Sequence, residues 1–381
     1  MCGGFAQAAS QNSTVSENAF LLRAYQDKAA IMWQSDIGGA QKLKYASKNF
    51  PEQTIVSTPE QITYEINKHV FIHKVWLENL LPGQIYNYSI GEAAIKTYSF
   101  RAMPADTNEV TFVVYGDSRT GAENHKKIVS QIIRTNPDFV IHTGDLVSNG
   151  NRYEQYGPQF FGPLQSLCKS VAVYIAKGNH EGKNGTFEKL FIPPGEKNDF
   201  AIKFGPVYYY LADNYSEDLT DKELLNFIAS NLRSAHAEWK FVSFHEPAIN
   251  IGGHNSKWCW PDALPTFADA GADFVIAGHS HMYERFRPIA PRQNSAGSVV
   301  TYITTGGGGA PVAKTKRTSL HAATDSVLHF CLFKIKGSRL TMEVIDSDGR
   351  IIDRLEITKN GGKLNEEYLR TSAPMGEVLV E

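Results

Sequence analysis

Five short polar blocks, each set directly after an apolar run, constrain this chain more than any other feature. They are Gly116-Asp117-Ser118-Arg119, Gly144-Asp145-Leu146, Gly178-Asn179-His180-Glu181, His245-Glu246-Pro247 and Gly278-His279-Ser280-His281. The runs before them are Val110–Tyr115, Phe139–Thr143, Val171–Ala176, Lys240–Phe244 and Phe274–Ala277. Their β-branched and aromatic content reads as strands. Strands alternating with helical patterns predict an α/β domain. In such sheets the ligand groups collect in loops beyond the carboxyl ends of the strands. Asp117, Asp145, Asn179, His245, His279 and His281 are thereby gathered into one place. Their carboxylate and amide oxygens and imidazole nitrogens suit iron, zinc or manganese, with no soft thiolate among them. Six such groups would be costly to bury without a partner.

The bulk numbers leave room for this chemistry and exclude others. The 381 residues suffice for two domains and a large core. A net charge of −2 gives no reason to expect a nucleic-acid or membrane-surface partner. No apolar run is long enough for a transmembrane segment. The four cysteines, Cys2, Cys168, Cys259 and Cys331, are too few and too scattered for a disulfide framework. The sequence does not indicate an oligomeric state. Residues 1–16 are rich in Ser, Asn and Ala and read as a disordered N-terminal segment. Cys2 admits two readings. It is either the lipidated first residue of an exported bacterial lipoprotein whose signal Met1 has replaced, or a chance cysteine in a cytoplasmic protein.

Residues 17–103 have an all-β pattern. Ala29–Gln34, Leu43–Ala46, Thr54–Ser57, Thr63–Asn67, His69–Leu77 and Ile85–Ile90 read as short strands between Gly, Pro and Asn turns. The run Leu80-Leu81-Pro82-Gly83-Gln84-Ile85-Tyr86-Asn87-Tyr88 resembles the corner of a fibronectin type III sandwich, where a tyrosine hydroxyl bonds nearby backbone. Residues 104–358 form the α/β domain, with helices expected over Glu123–Thr135, Tyr153–Cys168, Asp221–Ala235 and Pro261–Ala270. A hairpin is expected over Phe200–Ala212 and a strand-rich end from Val299. Residues 359–381 are polar, weakly patterned and read as a surface tail.

Two metal ions about 3.5–4 Å apart can clamp an in-line displacement at phosphorus, and water on such an ion has its pKa lowered to about 7. One carboxylate must bridge the pair. Asp145, in the middle of the set, is the best placed.

The order of the five blocks resembles that of the calcineurin-like metallophosphoesterases. The segment Gly278-His279-Ser280-His281-Met282-Tyr283-Glu284-Arg285 is similar to the GHxHxYER block of the purple acid phosphatases, which also carry a fibronectin-like domain in front. The resemblance implies a four-layer α-β-β-α domain with a dinuclear centre. It implies Asp117, Asp145 and His281 on one metal, and Asp145, Asn179, His245 and His279 on the other. Two positions depart from the pattern. The purple enzymes place a colour-giving tyrosine three residues after the bridging aspartate, and Ser148 stands there. The wider family often has Asp-x-His in its first block, and here the third residue is Arg119. The resemblance then implies a colourless protein with an incomplete first metal site, completed by water or by His125, or weakly bound.

Several residues keep two readings. His125 is a ligand or a polar residue at a helix start. Arg119 forks onto phosphate or pairs with a nearby carboxylate. His180 resembles a substrate-facing histidine that contacts phosphate and supports protonation. His254 is a candidate acid for the leaving group, or a plain loop histidine. His142 reads as a core histidine, and Glu284-Arg285 as a brace for the His-x-His loop. Trp258-Cys259-Trp260 is a stacking surface or a loop anchor. The expected activity is hydrolysis of a small phosphorylated substrate, foremost a phosphomonoester. The alternatives are a phosphodiesterase of the same fold, or a binding protein that holds metal for stability.

Overall fold

The computed structural model of the chain describes residues 19–91, 96–254, 256–291 and 297–378. The segment 1–16, with Cys2, lies outside the described residues. Among the described residues, no helix is long and apolar enough to cross a membrane.

The N-terminal region is two four-stranded antiparallel sheets. One runs in the order Phe20–Ala24, Ala29–Ser35, Lys68–Leu77, Glu60–Glu65, and the other Phe50–Ser57, Gln41–Ser47, Ile85–Ile90, Thr97–Arg101. Their inner residues, Trp33, Val75, Leu43, Tyr45, Tyr86 and Phe100, share one core. The expected corner is present: the buried Tyr86 hydroxyl accepts the Leu81 N–H at 2.7 Å. Tyr86→Phe leaves that N–H without its partner, so it should lower stability by about 1 kcal/mol. Urea denaturation would show this as an earlier midpoint at unchanged slope.

Phe20–Ala24 and Thr97–Arg101 were not expected as strands. Phe20–Ala24 is buried at every position, so it has no two-residue alternation to read. It is covered on its free side by the second region. Leu21 N–H donates to the Cys168 carbonyl (2.7 Å), and the Tyr174 hydroxyl donates to that of Ala24 (2.8 Å).

The second region packs two seven-stranded sheets face to face. The first sheet runs Ala172–Ile175, Phe139–His142, Glu109–Tyr115, His329–Lys336, Arg339–Asp346, Ile351–Asn360, Lys363–Leu364. The second runs Phe200–Phe204, Val207–Leu211, Trp239–Phe244, Phe274–Ala277, Thr301–Thr305, Tyr283–Phe286, His321–Asp325. Strand periodicity sorts the side chains. Phe112, Phe139, Phe241, Phe274 and Phe333 face inward between the sheets. Val113, Val140 and Val173 face the Ala122–Arg134 helix, and Val242, Val275 and Tyr302 face the Asp221–Ser234 and Ala263–Asp269 helices. Inner rings stack within a sheet (Phe112 on Phe139, centroids 5.0 Å apart) and meet edge-on across sheets (Phe112 on Phe241, 5.2 Å at 89°), the arrangement ring quadrupoles favour. The result is the four-layer α-β-β-α architecture.

Two expectations are corrected. Tyr153–Cys168 is helical but not one regular α-helix: a 3-10 turn over Tyr153–Gln155 leads into a π-helix over Gly157–Phe161 and an α-helical turn over Gly162–Leu164. Pro158 and Pro163 lack the N–H donors that a regular α-helix would use. The supposed tail is docked structure as far as Val378: Ala373 N–H donates to the Pro288 carbonyl at 2.8 Å, and Tyr368, Met375 and Val378 are buried. Residues 379–381 lie outside the described residues.

Candidate metal centre

All five blocks leave their strands at the same end of the two facing sheets. Asp117, Asp145 and His279 turn there with positive φ (57°, 59° and 68°). That conformation costs a non-glycine residue about 1 kcal/mol and persists where the surroundings impose it. Gly144 (φ 101°) shows why the turn is crowded, since a Cβ on it would lie 2.8 Å from His245 Nδ1.

Four of the expected ligand groups converge on one point. His245 Nδ1–H donates to the Thr143 carbonyl at 2.7 Å, so its Nε2 carries a lone pair. That lone pair faces Asn179 Oδ1 at 3.0 Å, His279 Nδ1 at 3.3 Å and Asp145 Oδ1 at 3.4 Å. Asn179 Oδ1 is also 3.1 Å from His279 Nδ1. A tetrahedral ion with bonds of about 2.0–2.1 Å needs donors about 3.3–3.4 Å apart, and these separations fit it. Burial, then the like charge of nearby histidines, drives His279 down to about 3. Burial also lowers His245. Both imidazoles are therefore neutral at neutral pH, the form a metal requires.

A second group adjoins the first across Asp145. Asp117 Oδ2 accepts the His279 N–H at 2.8 Å. Its other oxygen is buried with no hydrogen-bond partner, 3.7 Å from His281 Nε2. An orphaned carboxylate oxygen is what a cation would satisfy. Burial and the neighbouring Asp145 push Asp117 up. In Asp145 the effect of burial is outweighed by the charge that His245 and His180 carry when protonated, by the His180 backbone N–H and by Arg119, which hold it low. His281 Nδ1–H donates to the Pro311 carbonyl at 3.1 Å, turning Nε2 inward. Asp117, Asp145 and His245 bring one ligand atom each within 4.8 Å of one another. The residues thus fit a dinuclear centre of divalent-type ions.

Other candidates fall on either side of this centre. Arg119 pairs with Asp145 Oδ2 at 3.1 Å, the carboxylate reading of its two. His180 Nδ1–H donates to the Ser148 carbonyl (2.7 Å), and its Nε2 lies 3.8 Å from Asp145 Oδ2. The exposed His254 ring sits over both His279 and His281, with centroids 5.1 and 5.3 Å away. The Ser148 hydroxyl is turned aside, donating to Gln159 Oε1. His125 is not brought to the centre. It is buried, its Nδ1 donates to the Gln159 carbonyl, and its Nε2 accepts from the Tyr115 hydroxyl. Both ring nitrogens are satisfied, so its candidacy as a ligand is withdrawn. His142 is a core histidine that accepts the Gly144 N–H. Glu284 accepts the Gly252 N–H at 2.8 Å and so holds the loop that carries His254. Trp258 is buried against Phe244 and anchors that loop.

Sequence reasoning gave no role to Glu181. It is buried, and its two oxygens accept the N–H groups of Asp145 (2.8 Å), Leu146 (2.8 Å) and Gly178 (2.6 Å). One carboxylate thereby ties the Asp145 loop to the Asn179 loop. Burial and the Asp145 charge push its pKa up, against the pull of those three donors. The signal was a carboxylate directly after the Gly-Asn-His run.

Fold and centre together define a metal-dependent hydrolase of phosphoric esters. Residues 110–283 match the family model of the calcineurin-like phosphoesterases, so the chain carries a calcineurin-like phosphoesterase domain. Among proteins it resembles is acid phosphatase type 7 of Homo sapiens, 23% identical over 353 residues that cover 77% of this chain and 78% of that one. Another is the probable purple acid phosphatase 20 of Arabidopsis thaliana, 26% identical over 263 residues, covering 62% and 60%. In structure it is similar to a purple acid phosphatase from yellow lupin (Lupinus luteus) seeds, with a TM-score of 0.76 and 18% identity over 95% of this chain and 77% of that one.

Proposed function

We propose that the chain is a phosphomonoesterase acting on a small phosphate ester at the mouth formed by Arg119, His180 and His254. The observation that carries this is the convergence of lone pairs from Asp145, Asn179, His245 and His279 at 3.0–3.4 Å. In this reading Asn179, His245 and His279 would hold one ion, Asp117 and His281 would hold the other, and Asp145 would serve both. Iron, manganese or zinc suits the donor set. Bound there, the ions would oppose the charge on the phosphate oxygens and ionise water at neutral pH.

The remaining steps fall to the chain. His180 Nε2 is left as an acceptor by the bond from Nδ1 to Ser148. It can take a hydrogen bond from the P–OH of a monoester, a group a diester lacks. This favours the monoester reading over the diester one. His254, exposed above the two histidines, is placed to give a proton to the departing oxygen.

The test is turnover by the chelated protein after manganese, zinc or iron is restored. A nitrophenyl monoester should be cleaved at least roughly tenfold faster than the bis-ester, a difference of about 1.4 kcal/mol. His254→Asn should slow an alkyl phosphate, whose leaving group needs the proton, by roughly 10²-fold and nitrophenyl phosphate less. Faster diester cleavage would reverse the choice of substrate. Turnover indifferent to metal would end the metal reading.

A further inference from the structure

The Arg119 side chain does more than pair with a carboxylate. Its Nε–H donates to Asp145 Oδ2 at 3.1 Å and its Nη2–H to His281 Nε2 at 3.3 Å. His281 Nε2 is an acceptor because Nδ1–H is committed to the Pro311 carbonyl. Two of the three side chains of the Asp117–Asp145–His281 group are therefore engaged by one guanidinium. That cation cannot be deprotonated in a protein, so it repels an incoming ion, and the single Nε2 lone pair of His281 cannot serve both at once. Arg119 is also anchored, its backbone N–H donating to the Asp145 carbonyl at 3.2 Å, and its side chain is only 17% exposed. Neither Ser148 nor His125 compensates with a further donor, since the Ser148 hydroxyl is turned to Gln159 and the His125 ring is satisfied in the core. Among the described residues, no guanidinium or ammonium engages Asn179, His245 or His279.

We propose that Arg119 is a built-in cation of the Asp117–Asp145–His281 group. The chain then loads one ion tightly beside Asn179, His245 and His279, and accepts a second only when that ion displaces the Arg119 side chain. This rests on the reading of these donors as metal ligands. Arg119 is here a positioning residue that governs how many ions the centre holds. Its second consequence is that displacement frees the guanidinium at the mouth, where its fork can meet a phosphate oxygen.

The test is metal content, independent of turnover. The full chain is stripped with chelator and dialysed against graded manganese(II), and bound metal is counted per chain. The wild type should bind one ion, with the second at least roughly 10²-fold weaker, the scale on which groups around a metal site alter affinity. Arg119→Gln should bring the second event to within roughly tenfold of the first, and the exchange-coupled spin-resonance signal of a manganese pair should appear at lower metal. Arg119→Lys keeps a cation and should retain the gap. Two equally tight ions in the wild type would overturn the proposal and leave the metal reading standing, and needs no variant to fold. A gap unchanged in a folded Arg119→Gln would overturn it as well. A wild type that binds no manganese would overturn both.

Discussion

Asp145→Asn should lower kcat/KM for a nitrophenyl monoester by at least roughly 10³-fold, or about 4 kcal/mol of transition-state stabilisation. The two Asp145 oxygens face different partners. Oδ1 lies 3.4 Å from His245 Nε2 and accepts the His180 N–H at 3.0 Å, while Oδ2 meets Arg119 at 3.1 Å. Asparagine retains the volume and one oxygen but loses the charge, and its NH2 would face Arg119 donor-to-donor or crowd His180. A single side chain shared by both ligand groups cannot be weakened at one alone. Metal content should therefore fall in parallel with rate, which metal analysis and kinetics on the same preparation would check. Loss of the carboxylate leaves the Arg119 guanidinium without its partner, which costs stability, while it relieves the like charge on Asp117, so a circular-dichroism spectrum of the same preparation must show a folded chain. A folded, metal-loaded Asp145→Asn within tenfold of wild type would remove Asp145 from the centre.

What could be read from the sequence follows from how each feature is encoded. The metal blocks were legible because each is local: every ligand sits within four residues of the end of its strand, and strand order does the rest. Tyr86 was legible for the same reason, its partner Leu81 being five residues away. The misreadings concern contacts made at a distance. The helix-start histidine His125 was a candidate ligand by type, yet it is satisfied by Tyr115 and by the Gln159 carbonyl 34 residues on. Phe20–Ala24 lost its alternation because both faces are covered. Residues 359–378 bury only scattered apolar side chains, with no period to betray docking. The engagement of Arg119 with His281, 162 residues apart, needed the fold itself.

Glu181 is the residue on which the geometry of the centre most depends without joining it, and Glu181→Gln should show this. Both carboxylate oxygens accept N–H groups, Oε2 from Asp145 and Gly178 and Oε1 from Leu146. Glutamine offers one oxygen. If that oxygen takes the double position, its NH2 points at the Leu146 N–H. In the flipped rotamer it opposes two donors instead. Either way at least one buried N–H loses its acceptor and faces another donor, which costs about 2–4 kcal/mol when the lost bond is to a charged group. Urea denaturation should report that loss. The loops joined by Glu181 carry Asp145 and Asn179, so metal affinity should fall by roughly 10–100-fold even though no ligand has changed. Stability loss with unaltered metal affinity would mean the loops are held by their strands alone. Loss of both, restored in part when metal is raised, is the expected result, because an ion that binds only the folded arrangement draws the loops back together.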